Sequence, residues 1–256
     1  MASISAVLII KNEAEILADC LTVLDWVDEI MVLDGGSDDD SVAIAQRFTD
    51  RVFVETDWRG FGIQRQCAQQ HARGDWVFMI DADERVTPEL RREIEAVVAA
   101  DQQQNVYLMP ILPWCFGRFI RHSGWYPEHK IRLYPRLKAR YGNARVHEKL
   151  TLDQGMQKQF LKGDLLHFTY RDMKHYLLKS AHYADEWAQG RQQQGRTASL
   201  IEAVIHGMGC FIKMYLVKRG FLDGPQGLLL AVLSAHSTFV KYADLWSRSQ
   251  RTTPSK

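Results

Sequence analysis

The sequence has few cysteines and almost no net charge. Its four cysteines, Cys20, Cys67, Cys115 and Cys210, are widely separated and form no Cys-x-x-Cys pair. This spacing favours free thiols in a reducing compartment over a disulfide framework or a zinc site. Lysine and arginine together number 32, against 31 aspartate and glutamate residues. No overall charge therefore points to nucleic acid as a partner, and any basic surface must be local.

Long hydrophobic runs are also missing. The run Ala6 to Ile10 leads straight into Lys11, Asn12 and Glu13 without the cleavage site of a signal peptide, so we expect it to be a buried strand. The run Leu228 to Ala235 is far shorter than the roughly 20 residues needed to span a bilayer. We therefore expect no transmembrane helix, while contact with a membrane surface stays open.

The first hundred residues alternate between the apolar periods of strands and helices, which predicts an α/β fold. The predicted strands are Ser5–Ile10, Glu29–Leu33, Arg51–Glu55 and the fully apolar, central Trp76–Ile80. The predicted helices cover 17–24, 41–48, 64–71 and, after the N-capping pair Thr87-Pro88, 90–98. Parallel strands joined by helices form an open, doubly wound sheet that binds ligands at the carboxyl ends of its strands.

The chain changes character three times. After the α/β core, 1–104, aromatic, proline and basic residues interleave over 105–170, which predicts short strands and loops at the ligand edge. Residues 171–247 return to helical periodicity. The polar tail, 248–256, is expected to be disordered.

An acidic cluster, Asp81-Ala82-Asp83-Glu84, follows the central strand. If the extended backbone continues, Asp81 and Asp83 face the same side. Two neighbouring carboxylates repel each other, and a divalent cation with substrate phosphates in its shell relieves that repulsion. The cluster therefore predicts a metal–diphosphate site; the alternative is a solvated turn before a helix.

A second acidic turn closes the preceding strand at Asp34-Gly35-Gly36-Ser37. Its glycines allow a ligand to approach the backbone, and Asp34 can accept hydrogen bonds from a base or ribose. The alternative is an ordinary turn that caps the next helix.

A third motif, Gly60-Phe61-Gly62, begins like a dinucleotide fingerprint, but Arg65 stands where the third glycine belongs. We reject a dinucleotide-dependent oxidoreductase on this ground. Arg65 either faces a nucleotide or is solvated.

Taken together, the motifs resemble those of family 2 glycosyltransferases with the GT-A fold. The resemblance follows the order and spacing of three stretches, 9–13 (Ile-Ile-Lys-Asn-Glu), 34–39 and 81–84. Three later stretches, 124–127, 146–148 and 220–224, are similar to the lipopolysaccharide inner-core heptose β-1,4-glucosyltransferases of enteric bacteria. The likeness extends over nearly the whole chain.

This resemblance implies an inverting, metal-dependent transfer of glucose from UDP-glucose to a core heptose. Asp34 would bind uracil or ribose with Arg65 near the base, Asp81 would assist at the ribose or metal, and Asp83 would be the principal ligand of Mg²⁺ or Mn²⁺. Glu148 is the predicted general base; the alternative is an exposed ion pair with Lys149. Weaker candidates for acceptor or phosphate contacts are Trp125, Tyr126, Arg132, His147 and His167, each of which also has a structural or solvated interpretation.

The acceptor implied by the resemblance is a lipid-anchored lipopolysaccharide core on the cytoplasmic face of the inner membrane. A cytoplasmic protein that lies peripherally on this surface is therefore expected, with residues 171–247 as the membrane-associating region. Three alternatives are a transferase of another NDP-sugar to a lipid-linked or cell-surface glycan, a sugar-phosphate nucleotidylyltransferase and a non-catalytic membrane scaffold. The second normally has a Gly-rich loop after the first strand, where this chain has Lys11-Asn12-Glu13-Ala14.

Overall fold

A computed structural model describes residues 1–142, 150–170 and 172–250. The chain forms two compact units. The first consists of Met1–Ile111 and Glu128–His167, and the second of Leu112–Pro127 and Phe168–Lys256. In this division, residues 105–111 and 128–167 lie in the first unit and residues 112–127 and 168–170 in the second. The predicted domain boundaries stay a prediction.

The first unit is built on parallel strands in the order β3-β2-β1-β4. These strands are β1 (Ile4–Ile10), β2 (Glu29–Asp34), β3 (Val52–Val54) and β4 (Trp76–Met79). The helices between them are α1 (Ala14–Thr22), α2 (Ser41–Ala45) and α3 (Phe61–His71). The predicted alternation of strands and helices is confirmed, with ends that differ by a few residues.

Burial on both faces explains why β1 is a nearly continuous apolar run. Ala6, Leu8 and Ile10 belong to the core cluster on one face of the sheet. Val7, between them, packs into the cluster on the other face. Strands covered on both faces lose the alternation of polar and apolar residues that marks a half-exposed strand.

Beyond β4 the sheet continues with long strands and antiparallel neighbours. Its order is β4-β8-β6-β12-β5, with β8 antiparallel to both β4 and β6. These strands are β5 (Glu84–Val86), β6 (Asn105–Cys115), β8 (Glu128–Pro135) and β12 (Leu165–Tyr170). The remaining strands are β7 (Arg118–Phe119), β9 (Ala139–Tyr141), β10 (Leu150–Leu152) and β11 (Gln157–Phe160). The expectation of only short strands here was wrong, since β6 has 11 residues.

Helix α4 (Pro88–Ala100) follows the capping signal read from the sequence. The Thr87 hydroxyl accepts a hydrogen bond from the amide of Leu90, and Pro88 occupies the first turn. Leu90, Ile94 and Val98 form its buried stripe. This prediction is confirmed.

The second unit is mostly helical, with α5 (Met173–Gln193), α6 (Leu200–Ile212) and α7 (Gly224–Gln250). Helix α6 begins with a capping box between Ser199 and Glu202 and continues as a π-helical turn, Lys213–Val217. A 3₁₀ turn, Gly220–Asp223, precedes α7. Helix α7 extends to Gln250, so residues 248–250, predicted to belong to a disordered tail, are helical. Residues 251–256 lie outside the described residues.

Among the described residues, one helical segment, Leu200–Val217, is long and apolar enough to cross a membrane, judged by length and composition alone. The expectation of no such helix was based on uninterrupted apolar runs. Two charged residues, Glu202 and Lys213, interrupt this segment in the sequence and hid it.

All four cysteines are free, as predicted. Cys20 and Cys115 are buried, and burial raises the pKa of the Cys115 thiol to about 12 and that of Cys20 further still. Both thiols therefore stay protonated at neutral pH and act as small apolar side chains.

Candidate active site

The carboxyl ends of the parallel strands bring the two acidic clusters to one edge of the sheet. Asp34 ends β2 beside Ile10, the last residue of β1. Asp81 follows two residues after β4, which pairs with β1 on its other side. This is the edge at which open α/β sheets bind ligands.

Asp34 is buried and organises the loop that follows it. Its carboxylate accepts hydrogen bonds from the amides of Gly36 and Ser37, at 2.8 and 2.9 Å, and from the Ser37 hydroxyl. Gly36 has a φ of +83°, a conformation that a side chain at this position would strain. The predicted role of Asp34 in nucleotide binding stays a prediction, with its observed contacts made to its own loop.

The loops after β1 and β2 are tied together by side chains. The amide of Asn12 donates to the Ser37 hydroxyl at 2.9 Å, and the Asn12 side-chain oxygen accepts from the amide of Asp38 at 2.9 Å. The Ser41 hydroxyl accepts from the amide of Glu13. These bonds give the motif residues 11–13 and 34–39 a shared, defined backbone at the ligand edge.

Asp81 is held between two arginines. Arg65 of α3 donates to Oδ1 at 2.7 Å, and Arg132 of β8 donates to Oδ2 at 2.6 Å. Burial alone would raise the pKa of Asp81, but Arg132 and Arg65 outweigh it and hold the pKa well below its usual range. Asp81 is therefore a fixed negative charge, and neither arginine is solvated.

Glu84 completes this network. It is 1% exposed, accepts from Arg132 at 2.5 Å through Oε1 and accepts from the Asp81 amide at 3.0 Å through Oε2. Burial raises the pKa of Glu84 against the opposing effect of Arg132, and the charge of Asp81 raises it further. The network thus places two acidic groups around one buried guanidinium, the geometry that makes a buried ion pair tolerable.

Asp83 has a different partner from Asp81. Its Oδ2 lies 3.1 Å from Nε2 of His167, which is on β12 in register with Glu84. Burial alone would lower the pKa of His167, but the hydrogen bond to Asp83 and the charge of Asp83 raise it. Both side chains remain partly open to solvent, with 26% of Asp83 and 21% of His167 exposed.

We expected Asp81 and Asp83 to face the same side because they would alternate along an extended strand, and this reason was wrong. Strand β4 ends at Met79, and the amide of Glu84 donates to the Asp81 carbonyl at 2.9 Å to close a turn. The two carboxylates therefore do not alternate along a strand, and each has its own partner. Within residues 1–142, 150–170 and 172–250, no group of three or more His, Cys, Asp or Glu side chains is arranged to hold a metal ion.

Four other candidate residues lie in the second unit or outside the described residues. Trp125 and Tyr126 belong to the second unit, where Trp125 packs 6.1 Å from the ring of Tyr170 and the Arg121 guanidinium lies 5.3 Å from the ring of Tyr126. His147 and Glu148 lie outside the described residues. The roles predicted for these four residues stay predictions.

Two features of the site were missed in the sequence, namely the Glu84–Arg132 pair and the Asp83–His167 pair. The sequence did contain one signal for the Glu84–Arg132 pair. Arg132 lies in an otherwise apolar stretch between Ile131 and Leu133, and a lone charge in a buried strand needs a partner. The second pair joins residues 84 positions apart and carries no local signal.

Replacing Arg132 tests how far the fold depends on this network. The substitution Arg132→Met keeps the apolar stem but leaves the buried carboxylate of Glu84 without its arginine, next to Asp81, which keeps only Arg65. We expect the free energy of unfolding, measured by urea denaturation, to fall by about 3–5 kcal/mol.

The matched control is Arg140→Met, which removes an ion pair with Asp153 in which the arginine side chain is 65% exposed. This substitution should lower the free energy of unfolding by at most about 1 kcal/mol. Equal effects of the two substitutions would show that the Arg132 network does not stabilise the fold.

Comparison with known proteins identifies the family and the fold of this chain. The model of the family "Glycosyl transferase family 2" matches residues 5–163. An uncharacterised glycosyltransferase of Rickettsia felis is 29% identical over 255 residues, covering 96% of this chain and 90% of the relative. LpsC of Rhizobium meliloti, a lipopolysaccharide core biosynthesis glycosyltransferase, is 28% identical over 255 residues, covering 96% and 92%.

A solved structure, that of S. aureus TarS residues 1–349 in complex with UDP, has a similar fold. It superposes with a TM-score of 0.51 at 12% identity, over 99% of this chain and 93% of that one. The predicted GT-A fold, an α/β sheet followed by C-terminal helices, is confirmed. Since the family match covers more than half of its length, the chain belongs to glycosyl transferase family 2.

Proposed function

We propose that this glycosyltransferase moves glucose from UDP-glucose to a heptose of the lipopolysaccharide inner core, with inversion at the anomeric carbon. The observation that carries the proposal is the Asp83–His167 pair beside the clamped Asp81 at the ligand edge. The relative LpsC, named for lipopolysaccharide core biosynthesis, supports the choice of acceptor. The alternative donors are other NDP-sugars.

Asp83 and His167 are the residues that fit a divalent metal ion. A carboxylate oxygen and an imidazole nitrogen are both ligands for such ions, and their 3.1 Å separation is that of neighbouring ligands held about 2.1 Å from one ion. A metal would replace the proton that the two side chains share, since ligands bind in their deprotonated forms. Bound Mg²⁺ or Mn²⁺ would neutralise charge on the departing diphosphate.

Asp81 contributes to the proposed site as a carboxylate that its ion pairs hold in position. Because Arg65 and Arg132 occupy both of its oxygens, its carboxylate is fixed in place. We assign Asp81 and Arg65 to the donor side, where Arg65 meets the base and Asp81 the ribose. The Asp34 turn, ordered by its own hydrogen bonds, lies at the same edge. Fixed dipoles and charges of this kind lower the reorganisation that binding requires.

On the acceptor side, a carboxylate removes the proton from the acceptor hydroxyl as its oxygen attacks the anomeric carbon. The bond from that carbon to the UDP oxygen breaks, and UDP leaves with the electron pair. Glu148 is proposed as this base from its place in the sequence beside His147, as it lies outside the described residues. A general base contributes roughly 10²- to 10⁴-fold to the rate.

A donor screen tests the proposed reaction. UDP-glucose, UDP-N-acetylglucosamine, UDP-galactose and ADP-heptose are offered with truncated lipopolysaccharide that ends in inner-core heptose, and the product is analysed by mass spectrometry. We expect transfer of one hexose from UDP-glucose. Transfer from another donor alone would contradict the assignment of glucose, and release of pyrophosphate from a sugar phosphate and a nucleoside triphosphate would indicate a nucleotidylyltransferase.

The metal site is tested with Asp83→Ala. Removal of a ligand should weaken metal-dependent UDP binding, measured by calorimetry with and without Mn²⁺, by at least about tenfold. Transfer should be lost while the unfolding midpoint changes little. The control is Asp50→Ala, at an exposed position before β3. An Asp83→Ala protein with wild-type metal dependence would refute the assignment.

The base is tested with Glu148→Gln, which preserves shape but cannot take a proton. We expect UDP affinity close to wild type and transfer at least about a hundredfold slower. Glu89→Gln, in the exposed first turn of α4, is the control. If UDP binding collapses instead, Glu148 belongs to the donor site, and if transfer persists, another group is the base.

A further inference from the structure

Helix α6 and the π-helical turn that follows it expose a stripe of large apolar side chains to solvent. The stripe recurs at the three- and four-residue spacing of one helix face. We call it the outer stripe, and it consists of Ile201, Val204, Ile205, Met208, Ile212 and Leu216. Three of these side chains are strongly exposed: Ile201 by 73%, Ile205 by 60% and Met208 by 61%.

The opposite face of α6 carries the contacts with α7, and it is made of small residues. Ala203 and Gly207 are its buried positions. A Cβ added to Gly207 would lie 3.2 Å from the carbonyl oxygen of Ala235 and 3.4 Å from the Cβ of Phe239. A helix of a water-soluble domain normally buries its large apolar residues, whereas α6 buries the small ones. The outer stripe is therefore complementary to an apolar partner.

A groove between α6 and α7 extends the apolar surface. Its volume is about 400 Å³, and it is lined by side chains such as Val204, Phe211, Val232 and Phe239. His236 is the single polar lining residue among those described. The described surface thus offers both a ridge and a cleft, with His236 as the one lining side chain able to form hydrogen bonds with a polar ligand.

Basic residues predominate at the carboxyl end of this surface. The stretch from Leu200 to Asp244 contains the bases Lys213, Lys218, Arg219 and Lys241 and the acids Glu202, Asp223 and Asp244, of which Glu202 is exposed at the amino end of α6. Asp223 is 1% exposed, and its carboxylate accepts hydrogen bonds from the amides of Arg121 and His122. Lys213, Lys218 and Arg219 are exposed at the carboxyl end of the outer stripe. An apolar face bordered by positive charge complements an anionic lipid surface.

We infer that the outer stripe and its basic border bind the surface of an anionic membrane, with α6 lying in the plane of the interface. The one-sided distribution favours this placement over a span. The inner face of α6, at Ala203 and Gly207, is packed on α7, so lipid can reach the helix from its outer side but not from this face, as in interfacial helices. The inference is independent of the proposed reaction, because it concerns the lipid and not the sugar.

The experiment measures sedimentation of the full-length protein with vesicles of phosphatidylcholine and phosphatidylglycerol, against vesicles of phosphatidylcholine alone. No saccharide is present, so the result does not depend on transferase activity. We expect binding to the anionic vesicles and weaker binding to the neutral ones. Raising the salt from 0.1 to 1 M, which shortens the screening length from about 10 to about 3 Å, should reduce the difference.

Two variants separate the charged and apolar contributions. Lys213→Glu, Lys218→Glu and Arg219→Glu in one chain should lower the partition coefficient by at least about a hundredfold, from roughly a factor of five for each basic residue. The matched control, Arg47→Glu with Arg92→Glu and Lys158→Glu, makes the same change in net charge at exposed positions of the first unit and should bind like wild type.

The apolar variant is Ile201→Gln with Ile205→Gln and Met208→Gln, which we expect to lower partitioning at least about tenfold. Its control, Leu177→Gln with Leu178→Gln, alters exposed apolar residues of α5. Because all five substituted residues are exposed, near-UV circular dichroism should show the wild-type fold.

Four results would overturn the inference. One is a failure of the wild-type protein to sediment with anionic vesicles, and another is binding of both charge variants at the wild-type level. A wild-type dimer that the apolar variant converts to a monomer, without vesicle binding, would assign the stripe to a second copy. Resistance to alkaline carbonate extraction would show that the helix spans the bilayer.

Discussion

The ligand edge depends on two guanidinium groups that meet one carboxylate. Arg65 comes from α3, Arg132 from β8, and Asp81 from the loop after β4, so their ion pairs join three elements that are distant in the sequence. Glu84, on β5, forms a second ion pair with Arg132. Charges taken out of water are stable only when they are compensated at short range, so each element holds the others in place. The loop that carries Asp83 lies between two members of this network, which fixes its backbone while its side chain remains open to solvent.

Local patterns predicted much of the first unit. The run of β1 is apolar because both faces of the sheet are covered, and the Thr87–Pro88 pair fixes the start of α4. Each of these signals is contained within a few residues. The order of strands around β4 could also be expected, since parallel strands joined by helices constrain their own arrangement.

Features that need distant partners were not predictable in this way. Strand β5 has only three residues, Glu84–Val86, and exists because β12 pairs with it about 80 residues later. The same pairing brings His167 to Asp83. The sequence predicts acidic residues at the ligand edge correctly, but which of them is clamped and which remains available depends on arginine and histidine residues from later strands. Glu148 and His147, outside the described residues, still rest on sequence alone.

The path of the chain between the two units has a consequence for how the protein can be divided. The chain leaves the first unit after Ile111, returns at Glu128 and leaves again after His167. Within the second unit, residues of 112–127 are bound to the later helices: the Ser123 amide donates to the Lys218 carbonyl, and Cys115 and Ile120 share a core with Leu230. A chain cut after His167 would keep 112–127 but lose every one of these partners, leaving buried thiol and aliphatic groups in water. The helical unit is therefore not a detachable module: an exchange between relatives, by recombination or in the laboratory, must carry both segments at once.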